Sequence, residues 1–184
     1  MSALPQLVIL DRDGVINHDS KDFIKSPAEF RPIEGSMAAI GRLTQAGIPV
    51  AIATNQSGLG RGYFDRVTLY AIHRKLRRLA AVEDGEIDRI VCCPHLPDAG
   101  CKCRKPESEL FERLLKHFDV DSTKAIAFGD SARDIQAANR AGIKAKLVRT
   151  GNGKKAMREL NIHPEDTAGD LAEAVNRLFE GEWE

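Results

Sequence analysis

Residues 7–15 read LVILDRDGV, four apolar residues followed by Asp11, Arg12, Asp13 and Gly14. A short apolar run bounded by polar residues has the length of a strand buried on both faces, as in a parallel sheet covered by helices. Beyond its end, residues i and i+2 of an extended chain point to the same side. Asp11 and Asp13 are therefore expected to face one site while Arg12 turns away, and Gly14 lets the chain bend sharply afterwards. Two carboxylates this close repel unless a cation lies between them, and hard oxygen ligands suit Mg²⁺. A plain acidic turn has the same composition, so the rest of the chain has to decide.

Working outward, strand-like runs alternate with helical ones. Ser36 is expected to cap a helix through MAAIGRLTQA that Gly47 stops. IPVAIA is a second buried strand ending at Thr54, and the glycine-rich loop NQSGLGRGY follows it. Asp65 opens a long amphipathic helix to about Val82. IDRIVCC, KAIAFG and AKLVRT are three further strands, and ESELFERLLKHF, ARDIQAANRA and DLAEAVNRLF three further helices. Alternation of this kind predicts an α/β fold, a parallel sheet with helices on both faces. There is no repeat, low-complexity tract or linker, and 184 residues suit a single domain over 1–184.

Composition narrows the partners. Lys+Arg and Asp+Glu both number 27, so no basic field is available to hold nucleic acid. The N-terminal apolar stretch is broken by Pro5 and Gln6 and has no basic flank, which argues against a signal peptide or membrane span. A cytoplasmic monomer with reduced thiols is expected. The run HRKLRR from His73 reads as an exposed helix face, with His73 and His117 solvated and His163 in a loop. His18, seven residues beyond Asp11, is a weaker candidate for the site.

Asp11, Thr54, Lys105 and Asp130 each sit at or just after the carboxyl end of an expected strand or its loop, the edge where open α/β sheets bind ligands. Asp134 suits a metal contact and a helix cap equally. The residues of ATNQSG can hold phosphate oxygens through N–H groups and side chains, or simply make a turn. All four cysteines fall within CCPHLPDAGCKCRKP, residues 92–106, together with His95. Thiolate and imidazole in a set of four favour a closed, structural, tetrahedral Zn²⁺ site. Such a site would tie down the loop that leads directly into Arg104 and Lys105. Strand alternation turns Cys92 and Cys93 to opposite sides, with Cys92 the better core residue.

The motifs DRDGV, ATN, Lys105 in CRKP, and GDSARD, in this order and on these strand ends, resemble the haloacid dehalogenase (HAD) superfamily of phosphatases. The resemblance implies a Rossmann-like domain, with spans between motifs too short for a cap domain. It implies Asp11 as nucleophile, Asp13 as acid and base, and Thr54 and Lys105 as holders of the phosphoryl group. Mg²⁺ would be bound by Asp11, the Asp13 backbone carbonyl and Asp130. The C-P-H form of the loop in related proteins points to Cys93, His95, Cys101 and Cys103 as the zinc ligands. Zinc-loop phosphatases of this kind fall into a group acting on a heptose bisphosphate, a lipopolysaccharide precursor, and a group acting on histidinol phosphate. NQSGLGRGYF, with Ser57 and Arg61, resembles the heptose group, which implies a phosphorylated sugar as substrate. Asn55, Gln56, Ser57, Arg61 and Arg104 would then join the catalytic residues in contacting it. Ser131 departs from that group, where some members carry lysine. Histidinol phosphatase is the alternative. A silent zinc-stabilised binding module is a third reading, against which the intact Asp11 and Asp13 argue.

Overall fold

The computed structural model describes residues 4–183. In chain order the elements are β1 (Leu7–Leu10), α1 (Ser36–Gln45), β2 (Val50–Asn55), α2 (Ser57–Gly60), α3 (Arg66–Val82), β3 (Arg89–Cys93), α4 (Glu109–Phe118), β4 (Ala125–Gly129), α5 (Ala132–Arg140), β5 (Lys144–Val148), α6 (Gly153–Glu159), β6 (Thr167–Ala168) and α7 (Leu171–Phe179). The six strands form one sheet in the order β3-β2-β1-β4-β5-β6, and every pairing is parallel.

Alternation along the strands feeds two cores. Val8, Leu10, Val50, Ile52, Ile126 and Phe128 face α1, α3 and α7 through Ile40, Ile72, Leu76, Leu171 and Val175. Leu7, Ile9, Ala51, Ala53, Ala125 and Ala127 face α4 and α5 through Leu110, Phe111, Leu114, Ala137 and Ala138. All four residues of β1 are buried, which accounts for an uninterrupted apolar run there instead of polar alternation. No cap domain is inserted among the described residues. No helix among them is long and apolar enough to cross a membrane.

Local chemistry explains most boundaries. Asp65 caps α3 by accepting a hydrogen bond from the Thr68 N–H at 2.8 Å, and Asp170 caps α7 in the same way from Glu173. Ser36 does not cap α1. Gly35, with φ 77°, takes that position, and the buried Ser36 hydroxyl donates to the Ile16 carbonyl at 2.8 Å. Three elements lie outside the sequence expectation: α2 inside the glycine-rich loop, α6 after Gly151-Asn152, and the two-residue edge strand β6.

The order reverses about β1, because β2 continues the sheet on one side and β4 on the other. That is the switch point at which α/β sheets open a crevice beyond their carboxyl ends. Asp11 follows β1, Thr54 and Asn55 end β2, and Asp130 follows β4.

Candidate active site

Asp11 lies at the floor of this crevice. Its Oδ1 accepts from the Lys105 ammonium at 2.9 Å, and the same ammonium reaches Asp134 Oδ1 at 2.6 Å and the Ala53 carbonyl at 2.8 Å. Lys105 is 2% exposed. Its two carboxylate partners raise its pKa against the cost of burial, so it stays charged. Asn55 fixes the lysine's backbone by a reciprocal pair, its Nδ2 donating to the Lys105 carbonyl and its Oδ1 accepting from the Lys105 N–H, both at 3.1 Å.

Asp130 is clamped from two sides. Gly14 (φ 85°) and Gly151 (φ 53°) both press against it, and a Cβ at either would fall within 2.1 or 2.2 Å of Asp130 Oδ2. The same oxygen accepts from the Asn152 N–H at 2.8 Å. Asp11, Asp130 and Asp134 can bring one oxygen each to within 4.8 Å of one another. Three acidic groups here share one ammonium. Burial pushes Asp11 up to about 7, with Asp134 and Asp13 adding to the effect and Lys105 opposing it. Burial and the charge of Asp11 push Asp130 up to about 8. Asp134 stays low because Lys105 and the Ser131 hydroxyl outweigh its burial. A pocket that lifts two carboxylic acids this far is short of positive charge, and its oxygen donors suit a hard divalent cation.

Asp134 caps its helix, one of the two roles its sequence allowed, and its other oxygen is taken by Lys105. Its Oδ2 accepts from the Ser131 N–H at 3.0 Å and hydroxyl at 2.7 Å in a capping box, while its Oδ1 holds Lys105.

Asp13 lies apart from that cluster. Arg12 does not simply turn away. Its fully buried guanidinium folds back so that Nε and Nη2 meet Asp13 at 3.0, 2.8 and 2.9 Å. Asn17 Nδ2 donates to Asp13 Oδ1 at 2.9 Å, and Gln56 Nε2 donates to Oδ2 at 2.9 Å and to Thr54 Oγ1 at 3.0 Å. Burial alone would raise Asp13, but Arg12 and these amides hold it below the usual carboxylate range. The cation that answers the Asp13 carboxylate is thus Arg12, not one shared with the Asp11 side chain.

A cavity of about 240 Å³ opens above these groups, lined by Asp11, Asp13, Thr54, Asn55, Gln56, Ser57, Arg104, Lys105, Asp130 and Asp134. Arg133, Ser20, Phe23 and Asn152 also line it; of these, Arg133 was visible in the sequence only as a neighbour of Asp134. Arg61 does not line it; its guanidinium lies 6.0 Å from the ring centre of Phe23, which does. His18 faces a different hollow beside Asp22 and Arg31. A larger groove between Leu59–Thr68 and Pro94–Ala99 carries none of these carboxylates.

His73 overturns its expectation. It is 8% exposed, not solvated, and its Nε2 lies 3.3 Å from Arg12 Nη1. Helical spacing sets it beside the core residues Ile72 and Leu76 of α3, so it sits at the edge of the apolar face. His117 and His163 are exposed as expected.

Cys93, His95, Cys101 and Cys103 converge within 4.8 Å. Sulfur to sulfur, Cys93 is 3.1 Å from Cys103 and 3.6 Å from Cys101, and His95 Nδ1 is 3.4 Å from Cys93 and 3.2 Å from Cys103. A tetrahedral zinc with bonds of about 2.3 Å needs ligand separations of roughly 3.7 Å, so the four atoms nearly form that cage. Burial and the neighbouring thiols push Cys93 up to about 12, whereas the Arg104 N–H and other hydrogen bonds outweigh burial and bring Cys101 to about 7. A central cation would let all the thiols ionise together. Cys93 is fully buried on the α4 face of β3. Cys92 is half-buried on the other and belongs to neither large core, contrary to the expectation that it packs inside.

The loop then delivers Arg104, whose Nη1 donates to the His95 carbonyl at 3.2 Å, and Lys105.

Residues 102–174 match the HAD-hydrolase-like family model. D-glycero-beta-D-manno-heptose-1,7-bisphosphate 7-phosphatases of Bordetella bronchiseptica and Pseudomonas aeruginosa are each 49% identical, with 95% of this chain and 98% of theirs aligned. The crystal structure of the B. bronchiseptica D,D-heptose 1,7-bisphosphate phosphatase complexed with magnesium and phosphate superposes with a TM-score of 0.90 at 49% identity, covering 96% of this chain and 99% of that one. With kinship of this extent over almost the whole length, the chain belongs to the HAD-like hydrolases, in the family of the heptose-1,7-bisphosphate 7-phosphatases.

Proposed function

We infer that the protein is a Mg²⁺-dependent phosphatase that removes the 7-phosphate of D-glycero-D-manno-heptose 1,7-bisphosphate, working as one domain over residues 1–184 through a phosphorylated Asp11. The observation that carries the phosphoryl-transfer reading is the placement of Asp11 beyond the central strand, with one oxygen tied to the buried Lys105 ammonium. The substrate rests on the relatives, which are named for the beta form of the heptose bisphosphate.

In the first step an Asp11 oxygen attacks phosphorus, and the bond to the sugar oxygen breaks. Asp13 gives its proton to that departing oxygen. In the second step Asp13 takes a proton from water, whose oxygen attacks the same phosphorus and frees Asp11. Lys105 and Thr54 hold the phosphoryl oxygens throughout. Asp11, the Asp13 backbone carbonyl and Asp130 would hold Mg²⁺, which supplies positive charge to the transferring group. Cys93, His95, Cys101 and Cys103 would hold a structural Zn²⁺ that fixes the approach of Arg104 and Lys105.

The resting acidities run opposite to these roles, and binding reverses them. A divalent cation returns Asp11 to its charged, nucleophilic form. A phosphate dianion brought beside Asp13 favours the protonated form that the leaving oxygen requires.

A bisphosphate places only one phosphate over Asp11. The second meets Arg104 and Arg133 around the cavity mouth, with Arg61 by the Phe23 ring. Histidinol phosphate presents an ammonium there, the wrong charge for arginines. Specificity constants for the two substrates with Mg²⁺ test this. The heptose should lead by at least ~100-fold, about 2.7 kcal/mol of transition-state binding. A lead for histidinol phosphate would assign the protein to that activity instead.

A further inference from the structure

Beneath the cavity lies a pair of buried groups that the reaction above does not use. Arg12 is 0% exposed, and neither it nor His73 lines the cavity. Arg12 spends Nε and Nη2 on both oxygens of Asp13 and has Nη1 left for His73 Nε2 at 3.3 Å. His73 comes from α3, on another element 61 residues along the chain. Burial and the adjacent guanidinium hold the imidazole down at about 3, so the ring is neutral and its Nε2 lone pair accepts the Arg12 hydrogen. The surroundings are organised toward the same carboxylate. Asn17 turns its Nδ2 to Asp13 and to the His18 carbonyl and leaves its own buried Oδ1 without a partner among the described residues, a cost that an apolar side chain would avoid.

A planar guanidinium holding a carboxylate by its fork fixes the plane of both groups. With the third edge anchored on His73, the guanidinium cannot swing, and Asp13 keeps one orientation toward the cavity. We propose that His73 is a positioning residue for the hydrolysis: through Arg12 it fixes Asp13 for proton transfer to the leaving oxygen, without touching substrate itself. The proposal rests on the reading of Asp13 as the proton donor.

Proton delivery matters for a sugar alkoxide and hardly at all for p-nitrophenolate, which leaves unprotonated. Hydrolysis of phosphorylated Asp11 uses Asp13 as base whichever ester is cleaved, so the readout is the ratio of kcat/KM for heptose 1,7-bisphosphate to kcat/KM for p-nitrophenyl phosphate, which stops at departure of the leaving oxygen; it is taken on one preparation of the holoenzyme, where the folded fraction cancels. His73→Leu removes the acceptor and should lower the ratio about tenfold. His73→Gln, whose amide oxygen can accept from Arg12, should restore most of it. Asp13→Asn is the control. If it leaves the ratio unchanged, the reading of Asp13 fails. If it lowers the ratio while His73→Leu keeps the wild-type value, or lowers both activities equally, the positioning role is overturned. Should His73→Leu not fold, His73→Gln and the shorter His73→Asn decide the matter, with a lower ratio for the asparagine supporting the proposal and equal ratios refuting it.

Discussion

Asp11 and Asp13 are two residues apart in one turn, yet the regions around them are built in opposite ways. Asp11 sits among Asp130 and Asp134 with a single lysine, and burial drives its pKa up to about 7. Asp13 sits among Arg12, Asn17 and Gln56, every one a donor, and despite burial they drive its pKa down. The first region sets three carboxylates against one ammonium, a balance that suits an added cation. The second is complete without one. Carboxyl groups in a shared motif thus take different work from their partners, and pairs pushed apart in acidity mark the division of labour.

The comparison breaks most sharply at Asp11. Asp11→Asn keeps shape but removes the attacking oxygen's charge, and turnover should fall at least ~10⁴-fold on every phosphate ester while circular dichroism shows an intact fold. Near-normal activity in that variant would contradict the covalent route. Asp13→Asn should be selective by contrast. While kcat should fall on both esters because the second step also needs Asp13, kcat/KM for the sugar phosphate should drop ~10²–10⁴-fold, the range for a lost acid–base group, and that for p-nitrophenyl phosphate much less. Equal losses in kcat/KM on the two esters would erase the distinction drawn between the regions.

The zinc loop bears chiefly on the first region, because it ends in Lys105, while at its other end the Cys93 carbonyl accepts from the Gln56 N–H at 2.8 Å. Cys101→Ser should reduce bound zinc from about one per chain and cost roughly 10²-fold in kcat through misplacement of Lys105, with the ratio between the two esters preserved. Full activity in reduced, zinc-free protein would remove the loop from the account. The smallest effect concerns the mouth. Arg104→Ala should narrow the margin between heptose bisphosphate and histidinol phosphate roughly tenfold and barely change p-nitrophenyl phosphate hydrolysis. An unchanged margin would place the second phosphate elsewhere.

How legible each part was in the sequence follows from how local its cause is. Leu7–Leu10 announces a central strand because both of its faces are buried, and Asp65 announces α3 because its cap is made three residues away. The strand ends then set Asp11, Thr54 and Asp130 together without further information. Thr167–Ala168 is too short to show any period, and α6 begins in a Gly-Asn-Gly stretch that reads as turn. Ser36 resembled a cap, but its hydroxyl answers a carbonyl twenty residues earlier. His73 looked solvated because Arg74 and Lys75 follow it, and only the packing of α3 beside Arg12 reveals it as buried. Alternation keeps Arg12 out of the cavity lining, whereas its long side chain still returns to Asp13, and its other anchor lies on a helix far along the chain. The partners that separate Asp11 from Asp13 are tertiary, and for that reason the motif alone showed two like carboxylates.

The central claim is that phosphorus is displaced twice, first by Asp11 and then by water. Each in-line displacement inverts the configuration at phosphorus. Hydrolysis of a phosphorothioate analogue of the substrate, made chiral at phosphorus with one heavy-oxygen label and run in water carrying the third oxygen isotope, therefore counts the displacements. Net retention in the released thiophosphate is the result expected for passage through a phosphorylated Asp11. Net inversion would mean direct attack by water and would contradict the role assigned to Asp11.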